Sequence, residues 1–198
     1  MTKDFFKIYI MMNKPQGYVC SAVSDSHHTV YELLPKDLQE LVTKPKRGQR
    51  LHTVGRLDAN TSGLLLFTND GTFSHSLTAP EFHVEKTYIA RLKKPGNSDY
   101  VSKALGTLTL PADKKSEEEK CSGVKLNPLN KEMTLWEVKI SEGKFHQVRR
   151  IFSALGNEVV SLQRIKIGYL ELGNLKEGKF QEFFPDMELL GGNQNLKK

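Results

Sequence analysis

Cysteine and long apolar runs are both scarce in this chain, and each scarcity removes a class of protein. Cys20 and Cys121 are the only cysteines among 198 residues. They stand far apart, fit no metal-ligand spacing and, in a reducing compartment, read as reduced thiols. The six histidines are scattered, and the adjacent pair His27-His28 lies in a polar, loop-like stretch, so zinc chemistry has no support and no metal site is expected. No segment approaches the ~18 to 20 uninterrupted apolar residues that span a bilayer. Met1 to Lys7 lacks the basic-then-apolar pattern of a secretory leader. A cytoplasmic protein without membrane association is the expectation. Glycine-rich phosphate-cradling loops, internal repeats and low-complexity tracts are also missing.

What is present is apolar material, 38% of residues, sufficient for one substantial core. The formal net charge of +6 is compatible with a polyanionic partner, but its distribution says more than its total. Leu41 to Leu57 holds Lys44, Lys46, Arg47, Arg50 and Arg56 and no acid. Gly143 to Gly156 holds Lys144, Arg149 and Arg150, again with no acid, while the acidic run Glu117-Glu118-Glu119 falls elsewhere.

Residue patterns predict strands over Phe5 to Met12 and Tyr18 to Cys20 around a turn at Asn13 to Gly17, a helical turn over Val30 to Leu34 stopped by Pro35, and an exposed basic loop from Lys36 to Arg50. Leu64 to Phe67 reads as a buried strand ending at Asn69-Asp70-Gly71, before a short helix over Thr72 to Leu77. Lys86 to Leu92 alternates as a strand, with Tyr88, Ala90 and Leu92 on one face. Ser98 to Leu105 is a helix stopped by Gly106. Ala112 to Lys120, nearly devoid of apolar residues, reads as a solvated loop, and Met133 to Ile140 as a strand. Phe145 to Leu155 carries Phe145, Val148, Ile151, Phe152 and Leu155 at helical spacing, with His146, Arg149, Arg150 and Ser153 toward the other side and Gly156 past the end. Strands over Val159 to Ile167, Tyr169 to Leu172 and Phe180 to Phe184 follow, the last after a turn at Gly178, and the tail from Gly191 is expected to be disordered. Strands outnumber helices without regular βαβ alternation, which gives an α+β fold with a mostly antiparallel mixed sheet and flanking helices and loops.

Asp58 follows the first basic segment and precedes the small polar cluster Asn60-Thr61-Ser62-Gly63, at the entrance to a buried strand. A carboxylate there needs a cation or several donors. Local sequence alone favours a brace for the loop Ala59 to Ser62 over a catalyst. Gly55-Arg56-Leu57-Asp58, followed by Thr61-Ser62-Gly63-Leu64-Leu65, resembles the central motif of the pseudouridine synthases that modify ribosomal RNA. Two further blocks agree in order: Glu85-Lys86-Thr87-Tyr88, and Glu142 to Arg150 running on to Leu162-Gln163-Arg164. The opening Asn13 to Cys20 and Ser74-His75-Ser76 add to the likeness, which extends over about Ile8 to Leu172 and is nearest to the branch acting on the small ribosomal subunit.

The resemblance implies a catalytic domain over residues 1–190 with a tail at 191–198. It implies the conversion of one uridine in ribosomal RNA, most simply 16S RNA, to pseudouridine. Asp58 would break the bond between uracil and ribose, after which the base turns and rejoins the sugar through a ring carbon. Attack on the sugar, attack on the base and elimination to a glycal all remain open. Tyr88 would pack on the extracted base or act as acid or base, and Arg164 would pair with Asp58. Arg56 would fill the gap left by the flipped nucleotide, while Lys14, Lys86, His146, Gln147, Arg149 and Arg150 would contact RNA. No cofactor is implied, and the partner is ribosomal RNA or a pre-ribosomal particle bound by a monomer.

The likeness begins within the first fifteen residues, so the small RNA-binding module that often precedes this domain in relatives is expected to be absent. The same isomerase acting on 23S RNA, and a non-catalytic RNA-binding or chaperone module, are the alternatives. A glycoside hydrolase ranks last, because it normally needs two flanking carboxylates where one stands out here.

Overall fold

The computed structural model describes residues 6–186; the residues assigned above to a disordered tail lie outside them. In chain order the elements are β1 (Tyr9–Lys14), α1 (Lys36–Thr43), β2 (His52–Val54), β3 (Ser62–Thr68), α2 (Gly71–Thr78), β4 (Lys86–Leu92), α3 (Asp99–Leu105), β5 (Leu108–Leu110), β6 (Glu119–Cys121), β7 (Lys125–Pro128), β8 (Leu135–Ile140), α4 (Gln147–Ala154), β9 (Val159–Ile167), β10 (Leu170–Glu171) and β11 (Phe180–Glu182). Single 3₁₀ turns occupy Val30–Leu33 and Pro80–Phe82. The chain divides into two compact units. One runs up to Phe82 and resumes from Gly168, and the other spans His83–Ile167.

In the first unit, β1 pairs antiparallel with β3 from Tyr9↔Thr68 to Lys14↔Gly63 and with β11 around Met11↔Gln181. β2 pairs antiparallel with the C-terminal half of β3. Leu64, Leu65, Leu66 and Phe67 are all fully buried, so both faces of β3 are covered and its unbroken apolar run follows. Asp70 caps α2 by accepting from the backbone N–H groups of Thr72 and Phe73 at 3.0 and 3.3 Å. Tyr9 donates to the same carboxylate at 2.8 Å, and Lys7 pairs with it at 2.8 Å.

In the second unit the order is β9, β4, β8, β7, every neighbour antiparallel, and β5 with β6 forms a separate hairpin. A continuous core joins Trp136, Val138, Phe152, Ile151, Tyr100, Ala104 and Leu92. Trp136 and Phe152 have ring centroids 6.3 Å apart. α4 ends where Gly156 adopts φ +78°, a left-handed conformation that leaves Asn157 N–H bonded to Phe152 O at 2.8 Å.

Four expectations change. Lys36 to Arg50 is not wholly a loop, because its first half is α1. Pro35, read as a stop, sits at that helix's N-cap with φ −58°, a geometry proline favours. Leu38, Gln39, Leu41 and Val42 then form its inward face. Tyr18 to Cys20 forms no strand beyond a single parallel bridge, Val19↔Thr29. The first strand begins at Tyr9 and runs through Lys14, inside the stretch read as a turn. The charged stretch Ala112 to Lys120 enters β6 and bridges Asp113 to Ser116, because the His146 ring before α4 and the Arg150 guanidinium on α4 receive its acidic groups.

Candidate active site

Asp58 lies in a loop that is built from below by β1 and its continuation. Lys14, at the end of β1, is fully buried. Its Nζ donates to the backbone carbonyls of Thr61 at 2.9 Å, Pro15 at 3.0 Å and Asp58 at 3.1 Å, with Ala59 O at 3.5 Å. Gly17 N–H donates to Ala59 O at 2.7 Å. The Cys20 thiol donates to Leu57 O at 3.4 Å and accepts from Leu57 N–H at 3.4 Å. The loop closes on itself as Thr61 N–H donates to Asp58 O at 3.1 Å. Gly55 holds φ +67°, where a side chain would be strained, and turns the chain out of β2 into this loop. The backbone of Asp58 is thereby fixed on both sides while its side chain stays half-buried, and Leu57 packs inward as Arg56 points to solvent.

Tyr88 and Arg164 come together in the second unit, where they are direct cross-strand partners of β4 and β9. Such partners stand on one face with Cβ atoms ~4.5–5.5 Å apart. A bulge between Thr87 and Tyr88 shifts the register there, and bulges re-aim side chains. Arg164 is buried and Tyr88 half-buried. Lys86, two residues before Tyr88, has its ammonium pushed below the ordinary lysine value by burial and by the Arg164 charge, and lies 3.5 Å from Ser141 O.

Residues 8–154 match the model of the RNA pseudouridylate synthase family. The chain belongs to this family. A Pasteurella multocida (strain Pm70) protein with the name ribosomal small subunit pseudouridine synthase A is 40% identical over 174 residues, 87% of this chain and 68% of that protein. Its Escherichia coli (strain K12) namesake is 38% identical over 174 residues, 87% of this chain and 69% of that protein. A crystal structure of a pseudouridylate synthase superposes with a TM-score of 0.80 at 37% identity, covering 96% of this chain and 76% of that one. The protein is thus an isomerase, an RNA pseudouridylate synthase of α+β fold.

For a pseudouridylate synthase, the placement of the residues read as RNA contacts is instructive. Arg56 is exposed, and Arg149 is half-buried with Nη1 donating to Val159 O at 2.9 Å. Lys14 is buried under the Asp58 loop, as described. Arg150 is 3% exposed, on the inward side of α4 rather than the outward side that its spacing suggested. Its guanidinium donates to Glu119 Oε1 at 2.5 Å, Glu117 O at 2.7 Å and Pro111 O at 2.8 Å. Gln147 is 4% exposed and donates to Glu142 Oε2 at 2.9 Å and Cys121 Sγ at 3.1 Å. Burial pushes the Cys121 thiol up.

His146 sits in the left-handed region, φ +49°, at the N-cap of α4, where a non-glycine residue is strained. Its ring stacks on Phe145 at 3.8 Å, and Nδ1 lies 2.5 Å from Asp113 Oδ2. The imidazole beside Asp113 holds that carboxyl below its usual range. Sequence reading gave Asp113 and Glu119 no role, and no local signal marks them, since their partners lie more than thirty residues away.

Proposed function

We propose that this enzyme isomerises one uridine of small-subunit ribosomal RNA to pseudouridine, with Asp58 as the catalytic carboxylate. The substrate reading is carried by the two ribosomal small subunit relatives, matched across 87% of this chain. Asp58 is chosen because its own carbonyl accepts from the buried Lys14 ammonium and from Thr61 N–H, and its neighbours Leu57 and Ala59 are held by the Cys20 thiol and Gly17 N–H, while its side chain keeps partial access to solvent. Breaking a glycosidic bond with an ionised carboxylate requires such fixed placement. Tyr88 offers a ring to pack on uracil and a phenol for proton transfer. Arg164, its cross-strand neighbour, is the basic residue of the proposed catalytic set. Arg56, exposed two residues before Asp58, fills the space of the flipped nucleotide. In this reading residues 1–190 are one catalytic domain acting as a monomer in the cytoplasm, on ribosomal RNA or a pre-ribosomal particle.

Mapping pseudouridines in ribosomal RNA from cells with the gene, without it, and with Asp58→Asn tests the reading. One small-subunit pseudouridine should vanish in both altered strains. An unchanged map in the deletion strain removes the ribosomal substrate, and a site retained with Asp58→Asn removes the catalytic role of Asp58. A site lost from the large subunit instead moves the substrate to 23S RNA.

A further inference from the structure

Taking the RNA-modifying reading above as its base, we infer that the loop from Lys44 to Arg50 is a docking surface for RNA phosphates. It holds four cations, Lys44, Lys46, Arg47 and Arg50, all exposed. None of the four forms an ion pair with a carboxylate among the described residues. Five cations of the second unit are instead already neutralised. Lys93 pairs with Glu158 at 2.7 Å, Lys125 with Glu85 at 3.0 Å, Lys144 with Glu142 at 3.2 Å, Lys139 with Glu137 at 3.3 Å and Arg150 with Glu119 at 2.5 Å. A cation already facing a carboxylate has little field left for a polyanion, whereas these four stand within seven consecutive residues, in a stretch with no acid from Leu41 to Leu57, and leave their field open to one.

The loop is held in shape. Lys44 N–H donates to Glu40 O at 2.8 Å at the end of α1, and Gln49 N–H donates to Lys46 O at 3.0 Å across a turn. Leu51 N–H returns to Leu41 O at 3.1 Å, and the Leu51 side chain is fully buried. The two ends are thus tied together as in an Ω-loop, with the charges carried on the excursion. From Leu51 the chain enters β2, which leads directly to Gly55, Arg56 and Asp58. The segment from Lys44 to Leu51 contains no aromatic residue, so it has no platform for base stacking and suits backbone phosphates, which position an RNA without reading its sequence. The loop would therefore grip the strand that flanks the uridine presented to Asp58.

The test uses the full chain and a transcribed small-subunit RNA. The variant Lys44→Gln/Lys46→Gln/Arg47→Gln/Arg50→Gln should bind that RNA at least ten-fold more weakly, with the loss appearing in KM. Its plot of log affinity against log salt should be shallower by about 3, since each single-strand phosphate contact contributes ~0.7. The charge-preserving variant Lys46→Arg/Arg47→Lys should bind like the parent. Lys93→Gln/Lys125→Gln, which removes two cations already paired, should leave affinity and slope unchanged. Equal affinity and slope for the fourfold variant and the parent overturn the proposal, as does an equal loss from Lys93→Gln/Lys125→Gln. Failure of the parent to form pseudouridine in this RNA counts against the substrate reading alone, because affinity and salt slope still report on the loop.

Discussion

Lys14 and Arg150 are two cations withdrawn from water, one in each compact unit, and they are accommodated by different means. Lys14 directs its compact ammonium into backbone carbonyls of Pro15, Asp58 and Thr61, so the charge shapes the loop that carries Asp58. Arg150 spreads a planar fork over Pro111 O, Glu117 O and the Glu119 carboxylate, so the charge fastens the β5–β6 hairpin to α4. One buried cation organises a candidate reaction site, and the other organises packing. A basic residue in a motif is therefore no measure of positive surface. An exposed, unneutralised cluster of four cations lies in the loop before β2, where no motif marks it.

The largest expected effect separates chemistry from support. Asp58→Asn should lower turnover on the order of 10³-fold, in the range that a misplaced proton or charge costs an active site, with the melting temperature almost unmoved. Lys14→Met should depress turnover and stability together, because it leaves carbonyls without their donor. The stability loss should be roughly 2–4 kcal/mol, a fall of about 10 °C in a chain of this size, read by thermal unfolding. A Lys14→Met protein as stable as the parent would break the comparison at its first half.

Arg150→Met tests the second half. It should cost roughly 2–4 kcal/mol, since Glu119 loses its closest cation and the hairpin its tether, while RNA affinity measured on the folded fraction stays near that of the parent. A large loss of affinity without loss of stability would return Arg150 to the RNA-contacting set.

The smallest effect concerns Tyr9 and Asp70, which tie β1 to α2. Burial, the hydrogen bond to Asp70 and that carboxylate's charge raise the Tyr9 phenol from 10.0 to about 12. The folded state therefore holds this proton more tightly than the unfolded state. The associated stability is fully present below pH 10 and is lost as pH rises toward 12. At Asp70 burial raises the carboxyl, but Lys7, Tyr9 and Phe73 N–H together outweigh it, and the net shift is downward. That contribution is present above the unfolded carboxyl's value and is lost as pH falls through the folded one. Tyr9→Phe should flatten the alkaline part of a melting-temperature profile relative to the parent, and an identical slope would remove Tyr9 as its source.

Much of the framework is local information. The unbroken apolar run of β3 marks a strand covered on both faces, Asp70 and Ser98 stand where α2 and α3 begin, and Gly106 and Gly156 stand where α3 and α4 end. The loop bearing Asp58, and the ordered blocks that place the chain in its family, are local too. Sequence by itself thus determined the α+β class, the family and the candidate carboxylate. Tertiary structure alone decided which cations meet water. Lys14 and Thr61 are 47 residues apart, and Arg150 and Glu119 are 31 apart, whereas helical and strand periodicities register only neighbours a few residues away. A charge can be buried only where distant segments deliver acceptors to it, and that delivery is a property of the fold.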